Sequence, residues 1–289
     1  MTDFLSSLRD PDNAFLRHAL LMGILASVSF GIMGTYVVAR RISYIAGAIA
    51  HCALAGIGLA LLLESAKVWL WFTPQVGLIV SGLLSALLIG AVSLWWKQRE
   101  DTVIGAIWAI GMATGLLLYH LANTNRDASS YLFGDITMVT RTDLISIIVL
   151  DVILLACIPL FYRKFQAICF DEEFARVRGL NVNGYYLFLL CLVGLTVVLF
   201  INIVGMIMII ALLTLPAAIA GQFTRRLWQM MIVAAILCAA FTTGGMAVGW
   251  EKDLPVGPTI IIFAGGTYLI TLPVPWLLQR LRKGRNQET

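Results

Sequence analysis

The chain has 289 residues, of which 60% are hydrophobic and 12% charged, and its net charge is +4. A soluble domain carries about 25% charged residues, so the composition excludes an ordinary water-soluble protein. The basic residues cluster at the ends of apolar runs rather than in one patch, which points away from a nucleic-acid partner.

Residues 1–17 (MTDFLSSLRDPDNAFLR) are polar and lack the apolar core and cleavage site of a secretory signal. They read equally as a short amphipathic helix on the membrane surface or as a solvated tail. Apolar runs follow near 18–39, 42–63, 70–96, 102–121, 144–162, 185–201, 206–222, 227–249 and 256–279. A helix of about 20 residues crosses a hydrocarbon core about 30 Å thick. The stretch 185–222 is too long for one span, since 38 helical residues reach about 57 Å. Its NIVG segment (202–205) offers a break, which leaves two short halves, one of them a partial span. The expectation is an all-α, polytopic transmembrane helical bundle of eight to nine spans, one domain over 1–289.

Charge orients the bundle. With Arg40 and Arg41 inside, fourteen Lys and Arg residues fall on the inner side and six on the outer, as the positive-inside rule requires. The N-terminus is then outside and, with an odd number of spans, the C-terminus cytoplasmic, in a cell's inner membrane. Trp69 and Trp71 at one edge of the third run, and Trp95 and Trp96 at the other, fit aromatic belts against membrane lipid. Small residues recur every four positions at Gly23, Ser27, Gly31 and Thr35, and again at Gly105, Ala109 and Ala113, a spacing that lets helices approach closely.

Signatures of soluble enzymes are absent, including the Gly-x-x-x-x-Gly-Lys-Ser/Thr phosphate loop. If transport is ATP-driven, the motor is a separate chain. Two ionisable residues sit at membrane depth, His51 and Asp151, and such residues are read first as functional. His51 either faces a pathway or is a packed imidazole bonded to a backbone carbonyl. Asp151 is either a pathway carboxylate or a hydrogen-bond partner for a neighbouring helix. Imidazole and carboxylate are both metal ligands, and a site with few ligands suits an ion in transit. His18 and His120 lie at span ends and are weaker metal candidates. Cys52 points about 100° away from His51 and is a poor co-ligand. The remaining cysteines (Cys157, Cys169, Cys191, Cys238) form no metal-binding pattern. Met206 and Met208, beside the NIVG break, read as core fillers.

Two further segments read as cytoplasmic. CFDEEFARVRGLNVNGYY (169–186) is charged and helix-like. LTLPAAIAGQFTRRLWQM (213–230) places Pro216 and a small-residue helix just before Arg225 and Arg226, an element that a motor subunit can grip.

Five stretches in order carry a resemblance: RRISYIAGAIAHCALAGIGLA (40–60), REDTVIGAIWAIGMATG (99–115), SYLFGDI (130–136), VGMIMIIALLTLPAAIA (204–220) and DLPVGPTIII (253–262). The chain resembles the membrane permeases of the ABC importers for zinc, manganese and iron(II). The resemblance implies about eight spans, a pair of permease copies, two cytoplasmic ATPase subunits and an extracytoplasmic metal-binding protein. It implies that the metal is cargo and that no cofactor is permanently bound. It also implies that 213–230 is the coupling region, with Pro216, Ala217, Ala218, Ala220, Gln222 and Arg225 toward the ATPase. Many members have an aspartate four residues before the histidine, and some zinc permeases have a second histidine in the fourth span. Here those positions are Gly47 and Ala109. The expectation is that Gly47 leaves open space beside His51 and that Asp151 supplies the missing carboxylate from another helix. Rival readings are a stand-alone secondary transporter with Asp151 as a proton site, a permease for a metal chelate, and an intramembrane enzyme.

Overall fold

The structure is a computed structural model that describes residues 2–10, 13–69, 71–95, 100–122, 132, 134 and 139–274. Trp96, Lys97, Arg99, Arg126, most of 130–136, and the C-terminal Arg280, Arg282, Lys283 and Arg285 lie outside the described residues. The described residues are helical, with no strand among them. The helices are α1 (Thr2–Arg9), α2 (Ala14–Ala39), α3 (Ser43–Ser65), α4 (Pro74–Trp95), α5 (Glu100–Leu121) and α6 (Arg141–Phe170). They continue as α7 (Glu172–Val177), α8 (Val182–Val204), α9 (Met206–Phe223), α10 (Leu227–Lys252) and α11 (Val256–Thr271).

Eight of these helices, α2 to α6 and α8 to α10, are long and apolar enough to cross a membrane. The shortest apolar helix is α11, at 16 residues, or about 24 Å by helical rise. The partial segment therefore sits at the end of the chain, not in 185–222, where both halves reach full length. The break in that stretch falls at Gly205, where φ is 82°. A β-carbon disfavours this backbone region, so glycine ends α8 and starts α9 without a loop. The chain changes partners there: α8 packs on α4 and α6, whereas α9 packs on α2, α10 and α11. At the N-terminus, the helix and not the tail is present. α1 buries Phe4 and donates no loose end, because the Trp250 indole bonds to Ser7 Oγ at 3.2 Å.

Enclosure differs sharply among the spans. In α3, 83% of the apolar stretch is buried, against 22% in α5 and 28% in α6. α3 is therefore the central helix, and α5 and α6 face outward. It is held by backbone-to-backbone contact, since a β-carbon on Gly56 would lie 2.0 Å from the Gly77 carbonyl oxygen of α4. Without a hydrophobic force between helices in lipid, such close approach is what supplies dispersion contact. The first small-residue stripe is used in the same way, with Gly23 against Thr242 and Gly31 against Ala235 of α10. The second is not, because Gly105 meets nothing within 4 Å and Ala109 and Ala113 are exposed.

The arginine-rich end is tied by polar contacts. Arg40 donates to the Ile168 carbonyl at 2.7 Å, pairs with the Glu172 carboxylate, and lies over the Tyr186 ring. One side chain thus joins the α2–α3 elbow to α6, α7 and α8. Burial acts to raise the Glu172 pKa, but the Arg40 hydrogen bond and the charges of Arg40 and Arg176 outweigh it and hold the carboxyl below its ordinary value. A depressed carboxyl contributes stability above its unfolded pKa of about 4.3 and loses it as pH falls through the lower folded value. The pair is partly exposed and screened, so Glu172→Gln is expected to cost at most about 1 kcal/mol at pH 7. Thermal unfolding in detergent checks this: the deficit should hold at neutral pH and vanish once the medium is acid enough to protonate the folded carboxyl. A deficit independent of pH would refute the ion-pair origin.

Candidate functional site

His51 lies on α3, the most enclosed span, and is 8% exposed. Its Nδ1 is 2.8 Å from the Gly47 carbonyl oxygen, one turn earlier. A carbonyl only accepts, so Nδ1 carries the hydrogen and donates it. In the neutral ring the Nε2 lone pair is then free to bind a cation, and the tautomer is fixed by the bond on the other nitrogen. The carbonyl-bonded imidazole is thus present, and it still keeps one ligating atom.

The space beside this ring is not open. The Trp108 indole of α5 stacks on the imidazole with ring centroids 4.4 Å apart and planes 30° apart. A β-carbon on Gly47 would meet Trp108 Cζ3 at 2.8 Å and Ile210 Cδ1 at 3.3 Å. The expected gap at Gly47 is therefore filled by Trp108, with Ile210 behind it. The physical reason is that α5 approaches α3 closely on small residues. Gly111 faces Cys52 and Gly115 faces the backbone of Leu54 and Ala55, which brings the large ring of Trp108 in beside Gly47. Cys52 points to α5, with its Sγ donating to the Ile107 carbonyl at 3.1 Å.

Asp151 lies on α6 and is 5% exposed. Ser29 of α2 donates to its Oδ1 at 2.5 Å, and its buried Oδ2 has no hydrogen-bond partner. No hydrogen bond or ion pair joins it to His51, and α3 and α6 do not pack along each other's length. The structure does not bring the two residues together as one ligand pair. Among the described residues, no group of three or more His, Cys, Asp or Glu side chains could hold one ion. His18 is half-buried near the start of α2 and His120 is exposed near the end of α5. Met206 and Met208 are buried in the core.

The 213–230 segment divides in two. α9 runs unbroken to Phe223 through Pro216, and Pro216, Ala217 and Ala220 are buried against neighbouring spans. Ala218 and Gln222 are half-buried, whereas Gly221, Phe223, Arg225, Arg226 and Trp228 are exposed. Exposed side chains in this segment are thus confined to 221–228, where Leu227 alone is buried. Pro216 is tolerated inside the helix because neighbouring helices cover the freed backbone groups. At the other end of the bundle, Gln75, Asp143, Ser146 and Asn202 line a small cavity of about 90 Å³ between α4, α6 and α8.

Trp108, Ser29, and the Arg40–Glu172 pair went unread in the sequence. Only the juxtaposition of helices distant in sequence gives them meaning. A tryptophan at mid-span was a possible signal, since its indole N–H needs a polar partner where lipid offers none.

Comparison with known proteins fits this architecture. The chain is 40% identical over 259 residues to an uncharacterised membrane protein of Synechocystis sp., covering 89% of this chain and 90% of that one. It is 30% identical over 271 residues to the manganese import system permease protein ScaB of Streptococcus parasanguinis, covering 94% of each. The solved structure of PsaBC from Streptococcus pneumoniae in complex with Fab superposes with a TM-score of 0.80 at 28% identity, covering 93% of this chain and 94% of that chain. The description of the ABC 3 transport family matches residues 12–274, and with that span almost the whole bundle is accounted for: the chain belongs to the ABC 3 transport family.

Proposed function

We propose that this chain is the membrane permease of an ATP-driven importer for a divalent transition metal, zinc, manganese or iron(II), and that His51 is the transit ligand. The observation that carries the reading is a histidine with a free Nε2 at the centre of the most enclosed span of an ABC 3 chain. One imidazole with water binds weakly, which suits an ion that must leave again. The metal is cargo, no cofactor stays bound, and ATP is hydrolysed by separate ATPase subunits at the cytoplasmic face of the inner membrane. A second permease copy is the natural occupant of the exposed Gly105, Ala109 and Ala113 face of α5. An extracytoplasmic metal-binding protein would deliver at the end holding the Gln75–Asn202 cavity. Asp151 keeps a proposed role at membrane depth, tying α2 to α6 through Ser29. Asparagine preserves an acceptor for that hydroxyl, so Asp151→Asn should reduce uptake less than loss of His51.

Metal uptake into proteoliposomes tests the reading. Permease reconstituted with its ATPase, binding protein and ATP should accumulate zinc, manganese or iron(II), and permease without the ATPase should not. Uptake by the permease alone, driven by a proton gradient, would instead support a secondary transporter with Asp151 as its proton site.

Coupling is proposed to run through 221–228. Arg225→Glu is expected to lower metal-stimulated ATP hydrolysis about tenfold, a loss of roughly 1.4 kcal/mol, while the permease still inserts. Phe223→Ala should act in the same direction. Hydrolysis at the parental level in both variants would remove this segment from the interface.

Topology gives a separate expectation. Single cysteines at Lys67 and Lys252, in a background without the native ones, should react with an impermeant thiol reagent on spheroplasts. A cysteine at Arg225 should react only after the membrane is opened. The reverse pattern would invert the bundle.

A further inference from the structure

Two observations meet at one side chain. The Trp108 indole stacks on the His51 imidazole, and its far edge lies where a β-carbon on residue 47 would go, 2.8 Å from Cζ3 and 3.0 Å from Cη2. Any side chain at 47 therefore needs the edge of the indole to move. Residue 47 is one helical turn before His51, so a ligand there would share the imidazole's face of α3. The aromatic stack and a ligand at position 47 are alternatives, and this chain has the stack. Neither other candidate makes up the difference, because the Cys52 thiol is engaged with the Ile107 carbonyl and Asp151 sits on α6, which does not pack along α3.

We propose that Trp108 is a specificity-determining residue, which fixes His51 as a nitrogen donor without a carboxylate from its own helix and so favours zinc(II) over manganese(II). This rests on the reading of His51 as the transit ligand. Imidazole suits zinc, whereas carboxylate, carbonyl and water oxygens suit manganese, and divalent zinc binds a given nitrogen site more tightly than manganese does. The stack acts on geometry as well. With Nδ1 bonded to Gly47 and one ring face against Trp108, the imidazole cannot turn to offer its other nitrogen.

The test uses the full-length permease with its ATPase partner in nanodiscs, titrated with zinc chloride or manganese chloride in competition with a fluorescent chelator. The wild type should prefer zinc by about 100-fold or more, and Trp108→Phe, which keeps an aromatic face, should match it. Trp108→Ala should weaken zinc binding about tenfold, as lost support for a ligand typically does. Gly47→Asp alone should also weaken zinc binding, because the carboxylate and the indole compete for one space. Gly47→Asp with Trp108→Ala should bind manganese more tightly and lower the zinc preference at least about tenfold.

A wild type that does not discriminate would overturn the proposal, as would Gly47→Asp acting identically with and without Trp108. If the double variant fails to assemble, zinc binding by Trp108→Ala equal to wild type overturns it instead. His51→Ala separates the two levels. Zinc binding unchanged in His51→Ala brings down the transit-ligand reading, whereas binding lost there with selectivity untouched by Trp108 changes brings down only this inference.

Discussion

Replacing His51 with phenylalanine is expected to lower metal uptake by more than about 100-fold while the permease still folds and binds its ATPase. Residues that merely support a metal ligand typically cost about 10–100-fold when changed, and His51 is proposed as the ligand itself. Phenylalanine is the informative replacement because it keeps a flat ring against Trp108, and such ring pairs contribute about 0.5–1.5 kcal/mol. It removes both nitrogens, of which one is bonded to Gly47. The Gly47 carbonyl is still served by the helix backbone, so no buried acceptor is orphaned. His51→Ala tests the same role less cleanly, since it also empties space beside the indole. Initial uptake rates in proteoliposomes, with copurification of the ATPase as the control for assembly, read the effect. Wild-type uptake in the phenylalanine variant would make His51 a packing residue.

Replacing Gly56 with valine is expected to destabilise the bundle more than any other change considered. The new β-carbon would lie 2.0 Å from the Gly77 carbonyl oxygen and 2.3 Å from Ser81 Oγ. Backbone cannot yield as a side-chain tip does, so α3 and α4 must separate along their seam. Overpacking a well-filled interior costs about 1–3 kcal/mol, and a clash with main chain belongs at the upper end. By the scaling for large domains this lowers Tm by about 6 °C or more. Gly265→Ala is the matched control, since nothing lies within 4 Å of a β-carbon there. Equal melting temperatures for the two variants would show that the α3–α4 contact does not set stability. Uptake should fall with Gly56→Val as well, because α3 carries His51.

These two residues also show how far the sequence could be read. His51 stood out because a titratable group amid apolar residues is costly in any fold. The turn at 202–205 stood out because a 38-residue helix is too long for the bilayer, and Gly205 does break it. Apolar length marked nine runs, of which eight are long spans in the structure and the last is the short one. Neighbours were another matter. A helix that is apolar all round carries no stripe to say which face meets which partner. Nothing in the order of residues therefore announced that Trp108 would fill the space at Gly47, or that Asp151 would turn to Ser29. The same blindness hid which part of 213–230 is covered by other helices. Its proline and alanines are compatible with a cytoplasmic loop helix, and only packing against α2, α10 and α11 makes Pro216, Ala217 and Ala220 interior. Gly56 was one glycine among 25 until α4 was seen to lie on it.

The most direct test of the account is zinc-edge X-ray absorption on the assembled importer, loaded with zinc and compared with its His51→Phe variant. The account predicts a first shell at about 2.0 Å, the distance of a zinc–imidazole bond, with the outer-shell scattering of an imidazole ring. The variant should lose both that scattering and the zinc bound in the permease. The same imidazole signal and the same zinc content in wild type and variant would contradict the account, because the ion would then be held somewhere other than His51.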